Sequence, residues 1–457
     1  MVIIWCLGLT AAALPLRATA QESMLAGLGW HKNSAGTQVD GASEVRVQGN
    51  RAAGPVVSTG SKGSALANAG MRVDLAGTAQ AHAAGIAGME LRQSRVHVLA
   101  NQITGFVHAL GGAATANVVL AAGSTGAQPI RGSGLVVQGN RAAEVAAFGA
   151  KSEVLLGSGS LQMPGRATAN SVLLDATAVR NSQVVVSGNN AREVTSIGGA
   201  ALANGVTAAR SELVGTDVTQ TGNEATDVRA GGGAGGVGRG TIAQVELTGV
   251  AAANTVSLAS SELAGVRLQQ TANKARQVGT DGASALANSI SFSEHRADAA
   301  GGYAASLAGN EATDVRAWGG AASVLRGALA DVRMSATALA NSISVTRGAL
   351  RAGPRHDLAG NRVQGVVATG GAAVTNSLWL DDATVEGGSV HVAGNRAAQV
   401  QTAGATGSIG GGAVAGFERN GRALANAAVA DRQSTLAQAR VALAGNAAQQ
   451  VQGAGGL

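Results

Sequence analysis

The chain has 457 residues, 68 of them glycine and 97 alanine, while aromatic residues make up 2% and charged residues 13%. A typical soluble domain carries about 25% charged residues. The 46% apolar share excludes a charge-rich disordered chain, and five prolines without a three-residue glycine period exclude collagen. With so few large side chains, the core has to be thin and regular.

Residues 1–20, MVIIWCLGLTAAALPLRATA, read as a signal peptide. The apolar run from Val2 to Ala13 precedes Ala18-Thr19-Ala20, a small-residue cleavage pattern, although no Lys or Arg lies between Met1 and that run. Cys6 is the only cysteine and leaves with this segment, so the mature chain has no thiol for a disulfide or a metal. No other apolar run approaches the roughly 18 residues of a membrane span. Residues 21–44 are irregular, contain Trp30, and form a candidate N-terminal cap or lead-in. The repeat domain covers 45–457. The net charge is +6, or +5 once Arg17 is removed, and arginine carries it, because Lys32, Lys62, Lys151 and Lys274 are the only lysines. That balance fits scattered surface turns and also suits an anionic polysaccharide partner. One tyrosine and four phenylalanines cannot build stacking platforms for bases, so a nucleic-acid partner is not expected.

Two motifs recur. The first is Φ-x-Φ-x-(Gly/Ala)-Asn-x-Ala-x-x-Φ, with Φ apolar, and its asparagines are Asn50, Asn101, Asn140, Asn189, Asn223, Asn273, Asn310, Asn361, Asn395 and Asn446. Val145, Val194, Val228, Val278, Val315, Val366, Val400 and Val451 follow five residues after eight of them. The second is Ala-x-Ala-Asn-(Ser/Thr)-Φ-x-Φ, centred on Asn117, Asn170, Asn204, Asn254, Asn288, Asn341, Asn376 and Asn426, with His82 in place of Asn in the first copy and Asn68 as an extra match. Each second motif precedes a first motif by about 20 residues, and pairs of first-motif spacings add to a superrepeat of 83–90. Glycine interrupts the pattern too often for helices, at about 1 kcal/mol each. The short apolar runs have the two-residue period of strands.

Together these features predict an all-β fold, a single-chain β-solenoid with turns of about 15–20 residues in a superrepeat of about 85, five turns to each superrepeat. Twenty or so such turns would make a rod of roughly 100 Å. Asparagine suits a recurring bend because it tolerates the left-handed conformation, and stacked amides can form ladders. The first-motif asparagines are therefore read as structural. Pro55, Pro129, Pro164 and Pro354 should mark turns, and the glycine-rich stretch 230–240 reads as a flexible loop.

The stretch SELVGTDVTQTGNEATDV (211–228) resembles a curlin repeat, the strand–bend–strand unit of bacterial curli fibres, through Ser211, Gln220, Gly222-Asn223 and Ala225. SELAGVRLQQTANKARQV (261–278) matches more loosely, and Val228 and Val278 stand where curlin units carry a second glutamine. Similar Gly-Asn and Ala-Asn repeats occur in bacterial holdfast-anchoring surface proteins. The resemblance implies an exported fibre or surface-anchoring role.

No catalytic, cofactor or metal site is expected. Asp381-Asp382 is the only adjacent acidic pair, and paired carboxylates can cleave glycosides, but neighbours on a strand point to opposite faces. The seven histidines, 31, 82, 97, 108, 295, 356 and 391, have no metal spacing, and His97 and His391 alternate with valines so as to point outward. The glycine run at 231–240 lacks the following Lys-Ser/Thr of a phosphate loop. Trp30, Trp318 and Trp379 are too far apart for the aromatic row of a carbohydrate-binding module. The expectation is an exported structural protein at the cell surface, serving adhesion, anchoring or fibre assembly through self-association or other envelope subunits. Its final repeat, through Val451, would expose open strand edges. The alternative is a β-helix polysaccharide lyase or glycoside hydrolase.

Overall fold

The computed structural model describes residues 37–39, 44–59, 78–148 apart from 88, 111 and 124–129, 153–156, 165–318 apart from 232–235, 243–244, 247–248, 282–283, 295 and 298–301, 323–324, 327–329, 332–333, and 336–453 apart from 352, 404–407, 410–411, 415–421 and 432. The signal-peptide reading, Trp30, Asn68, Pro129 and Pro164 lie outside the described residues. Every regular element among the described residues is a β-strand, and the strands stack in parallel ladders. No helix among them is long and apolar enough to cross a membrane.

The chain winds through five walls. In the fifth coil, wall 1 is Ala200–Ala203, wall 2 is Val206–Ala209, wall 3 is Glu212–Val214, wall 4 is Asp217–Thr221 and wall 5 is Glu224–Gly231. Equivalent strands of successive coils pair into nine-stranded sheets in walls 1 and 2, ten-stranded sheets in walls 3 and 4 and an eleven-stranded sheet in wall 5. In wall 5 the first coil contributes two short strands, Arg51–Ala52 and Val56–Thr59, on either side of Pro55. The molecule is a β-solenoid.

The turn length differs from the expectation. Asn190 pairs with Glu224, and Glu224 with Lys274, so one coil takes 34 residues and the next takes 50. The longer step contains an insert between wall 5 and the following wall 1. Two coils and one insert make up the superrepeat. The two asparagine motifs lie at different bends of the same coil, so their 20-residue separation measures part of a coil and not a whole one. Ten coils spaced about 4.8 Å apart span roughly 43 Å, less than half the expected length.

The stretch 230–240 also differs from the loop reading. Ala230 and Gly231 complete wall 5, and Gly236–Ile242 is a strand. Gly236 pairs with Glu153 of the preceding insert and Ser323 of the next, and Ser323 pairs with Ser408. Pairing with equivalent inserts supplies the backbone bonds that make a strand of a glycine-rich segment, overriding its weak intrinsic preference.

The interior has two lobes. Between walls 1 and 5 it is lined by small residues such as Ala201, Ala203, Ala225 and Val228. Between walls 2, 3 and 4 it holds larger ones, including Leu174, Leu213, Leu258, Leu268 and Phe292. Walls 1 and 2 also have an apolar, buried outer face, with Leu202, Leu286, Leu339, Val374 and Trp379. At the bend from wall 5 into wall 1 the chain passes so close to the neighbouring coil that a Cβ on Gly199 would lie 2.0 Å from the Gly165 carbonyl oxygen. Only glycine fits there.

Candidate functional site

The polar features most regularly repeated in the fold are two asparagine ladders. First-motif residues Asn50, Asn101, Asn140, Asn189, Asn223, Asn273, Asn310, Asn361, Asn395 and Asn446 sit at the bend between walls 4 and 5. Each Nδ2 donates to Oδ1 of the next asparagine at 3.0–3.2 Å. The same Oδ1 accepts the backbone N–H of the preceding asparagine at 2.8–3.1 Å. The other Nδ2 hydrogen goes to a wall 4 carbonyl of the coil before, as from Asn223 to Val186 at 2.8 Å. A central amide thus donates twice and accepts twice, which uses its full capacity. From Asn101 to Asn395 these side chains are at most 1% exposed, and their pairing is what makes such burial tolerable.

The left-handed residue at this bend is not the asparagine, as expected, but the one before it. Gly222, Gly309 and Ala272 have φ of +62°, +61° and +54°. Asparagine is required instead for its amide, which must both donate and accept along the axis.

The second motif does place its asparagines in the left-handed region. Asn117, Asn170, Asn204, Asn254, Asn288, Asn341, Asn376 and Asn426 have φ between +47° and +53° at the bend from wall 1 to wall 2. They form a second ladder at 2.8–3.3 Å, which His82 joins through Nδ1 at 3.2 Å from Asn117 Oδ1. Their remaining Nδ2 hydrogen reaches across the coil. Asn170 donates to the Asn190 carbonyl, Asn204 to Glu224 and Asn254 to Lys274, in each case the residue after a first-motif asparagine. This tie fixes the 20-residue separation of the motifs and divides the two lobes of the core. Gln220 and Gln270 occupy an inward Φ position beside it. Gln220 donates to the Asn204 and Thr255 carbonyls at 3.0 Å, and Gln270 donates to Gln220 Oε1 at 2.6 Å.

His356 stands at another inward position of wall 4, buried with Tyr303, whose hydroxyl hydrogen-bonds its Nε2. Burial pushes its pKa down to about 3. The unfolded chain therefore takes up a proton near pH 6.5 that the folded chain refuses until about pH 3, and stability is lost as pH falls through that window. Between pH 6.5 and 5 this term amounts to about 2 kcal/mol. Urea unfolding at both pH values should show that loss in the native chain, and a flatter dependence in His356→Leu. Equal slopes would remove the burial argument.

The outer faces carry ion pairs. His97 lies 2.9 Å from Glu44, His108 2.7 Å from Glu144 and His391 3.1 Å from Asp357. Arg210 makes a bidentate pair with Asp175 at 2.8 Å. Burial lowers the pKa of Arg166 to about 10, against the attraction of Asp175. Asp381 is buried at the end of a wall 2 strand, while Asp382 occupies the following bend at φ +52°. Their different settings do not bring the two carboxylates together around one bond. Trp318 is 42% exposed and Trp379 is buried. Among the described residues, no group of three or more His, Cys, Asp or Glu could hold a metal ion.

No known protein family, curated protein or solved structure matches the chain.

Proposed function

We propose that this chain is an exported structural protein of the cell surface, a β-solenoid serving adhesion, anchoring or fibre assembly. Its partners in this reading are further copies or other envelope subunits, and anionic polysaccharide. The observation that carries it is the pair of asparagine ladders. They run from coil to coil and commit the buried amides to stacking, which favours a mechanical or presenting role for the walls. The resemblance of 211–228 to a curlin repeat supports the same reading, since Gln220, Asn223 and Ala225 all face the interior.

Negative-stain microscopy and fractionation of cells expressing the full chain test the proposal. Rods or filaments retained at the surface are the expected result. A chain that stays inside the cell, or is released as isolated particles that bind neither cells nor one another, would overturn it.

A further inference from the structure

In wall 5 the charge alternates through four coils, Glu224, Lys274, Glu311 and Arg362, before Arg362 meets Arg396 in the next. Wall 3 behaves differently. Arg92 pairs in register with Arg131, and Arg131 with Arg180, the longest run of like charge in any register among the described residues. Arg92 and Arg131 are exposed, and the Arg180 side chain is 41% exposed. Arg95, also exposed, stands three residues beyond Arg92. Arg131 is followed by Gly132, Ser133 and Gly134, so no bulky side chain crowds it from that direction. Val214 follows Arg180 in the register and ends the run, and Glu212 lies 2.7 Å from Arg180.

Like charges directly opposite one another destabilise a sheet. Other registers hold like-charged pairs, such as Arg362 with Arg396 and Glu212 with Glu262, but among the described residues only this one carries the same charge through three successive coils. We propose that this column is a binding stripe for a linear acidic polysaccharide lying along the solenoid axis, its carboxylate or sulfate groups meeting successive coils. The coil rise of about 4.8 Å sets the spacing of the cations, and a guanidinium can take an anionic group through two parallel N–H donors, which at Arg180 means competing with Glu212. Bound polymer relieves the repulsion within the column. The stripe rests on the polyanion partner proposed above and is independent of whether the chain forms fibres.

The test is titration of the full chain with polygalacturonate, dextran sulfate and neutral dextran over a range of salt. Arg131→Glu is compared with Arg396→Glu, which makes the same charge change on wall 5. Arg131→Glu is expected to weaken binding of one or both anionic polymers by about tenfold or more and to make its salt dependence shallower. It should also raise the thermal midpoint without polymer, because an acid between two arginines restores alternation. Arg131→Lys should retain most of the binding, and Arg396→Glu should bind like the native chain. Equal losses in Arg131→Glu and Arg396→Glu would overturn the stripe while leaving a diffuse polyanion interaction. Failure of the native chain to bind either anionic polymer would overturn both the stripe and the polyanion partner. Tighter binding to single-stranded DNA or to phosphatidylglycerol vesicles would overturn the polysaccharide assignment. The arms with polygalacturonate and dextran sulfate distinguish carboxylate from sulfate.

Discussion

Asn223→Ala is expected to destabilise the fold by about 3–6 kcal/mol, with the urea midpoint lowered and the denaturant slope unchanged. The Asn223 side chain takes part in four hydrogen bonds. Its Oδ1 accepts the Asn189 backbone N–H and Nδ2, both at 3.1 Å, while its Nδ2 donates to the Val186 carbonyl at 2.8 Å and Asn273 Oδ1 at 3.0 Å. Alanine removes all four and leaves the Asn189 donors and the Val186 carbonyl buried without these partners. Each unsatisfied buried group costs about 1–3 kcal/mol. A loss below about 1 kcal/mol would mean that the ladder contributes little to the fold.

Asn223→Asp separates the two halves of that argument. The carboxylate keeps the acceptor but loses both donors and places a charge beside Asn273 Oδ1. Burial and the loss of donors favour its protonated form in the folded state. Relative to the native chain at the same pH, this variant should be least destabilised below about pH 4, and its penalty should grow as pH rises through the raised folded-state value. A pH-independent penalty would show that the charge escapes to solvent.

Because each coil touches only its neighbours, such damage should remain local in origin while affecting the whole stack through lost coil-to-coil coupling. The same logic explains why the ladder tolerates Ala100 and Ala272 in its left-handed positions, at φ of +50° and +54°. A left-handed alanine costs about 1–2 kcal/mol. The amide bonds on either side of the bend hold the backbone in place.

Much of this architecture was legible in residue spacing. The alternation around Asn189 and Asn395 marks strands, and the 20 residues between Asn170 and Asn190, which become 24 at Asn117 and 23 at Asn288, reflect a hydrogen bond. The coil length was not legible, because a bend and a full turn leave the same kind of signal. Asn204 and Asn223 stand at two corners of one coil, yet either motif alone could have marked a turn. The insert strand at Gly236–Ile242 was hidden for another reason: its pairing partners lie more than 80 residues away and contribute no local pattern. His356 could have been placed, since it occupies the apolar position five residues before Asn361, in register with Ala305 and Val390. The arginine column required the register itself, because Arg92, Arg131 and Arg180 become neighbours only when the lengths of two coils are known.

Val315→Asp is expected to cost about 4 kcal/mol or more, whereas Arg316→Ala should change stability by no more than about 0.5 kcal/mol. Val315 is fully buried in wall 5 and stacks between Val278 and Val366, each also fully buried. The preceding Asp314 adopts φ of +59°, a local break in the strand that turns its side chain outward to meet Arg316. Three consecutive residues therefore alternate in environment, and only the middle one faces the core. An aspartate there would enter a lobe lined by valines and alanines, near the existing Asp314 charge. It must either remain ionised in that setting or take up a proton, and both routes draw on the stability of the stack. Arg316, half exposed and paired at the surface, can be lost cheaply because exposed ion pairs contribute little. Chemical unfolding of the two variants beside the native chain measures the difference. Comparable stability in both would reverse the assignment of wall 5's inner face, and with it the placement of every valine five residues after a ladder asparagine.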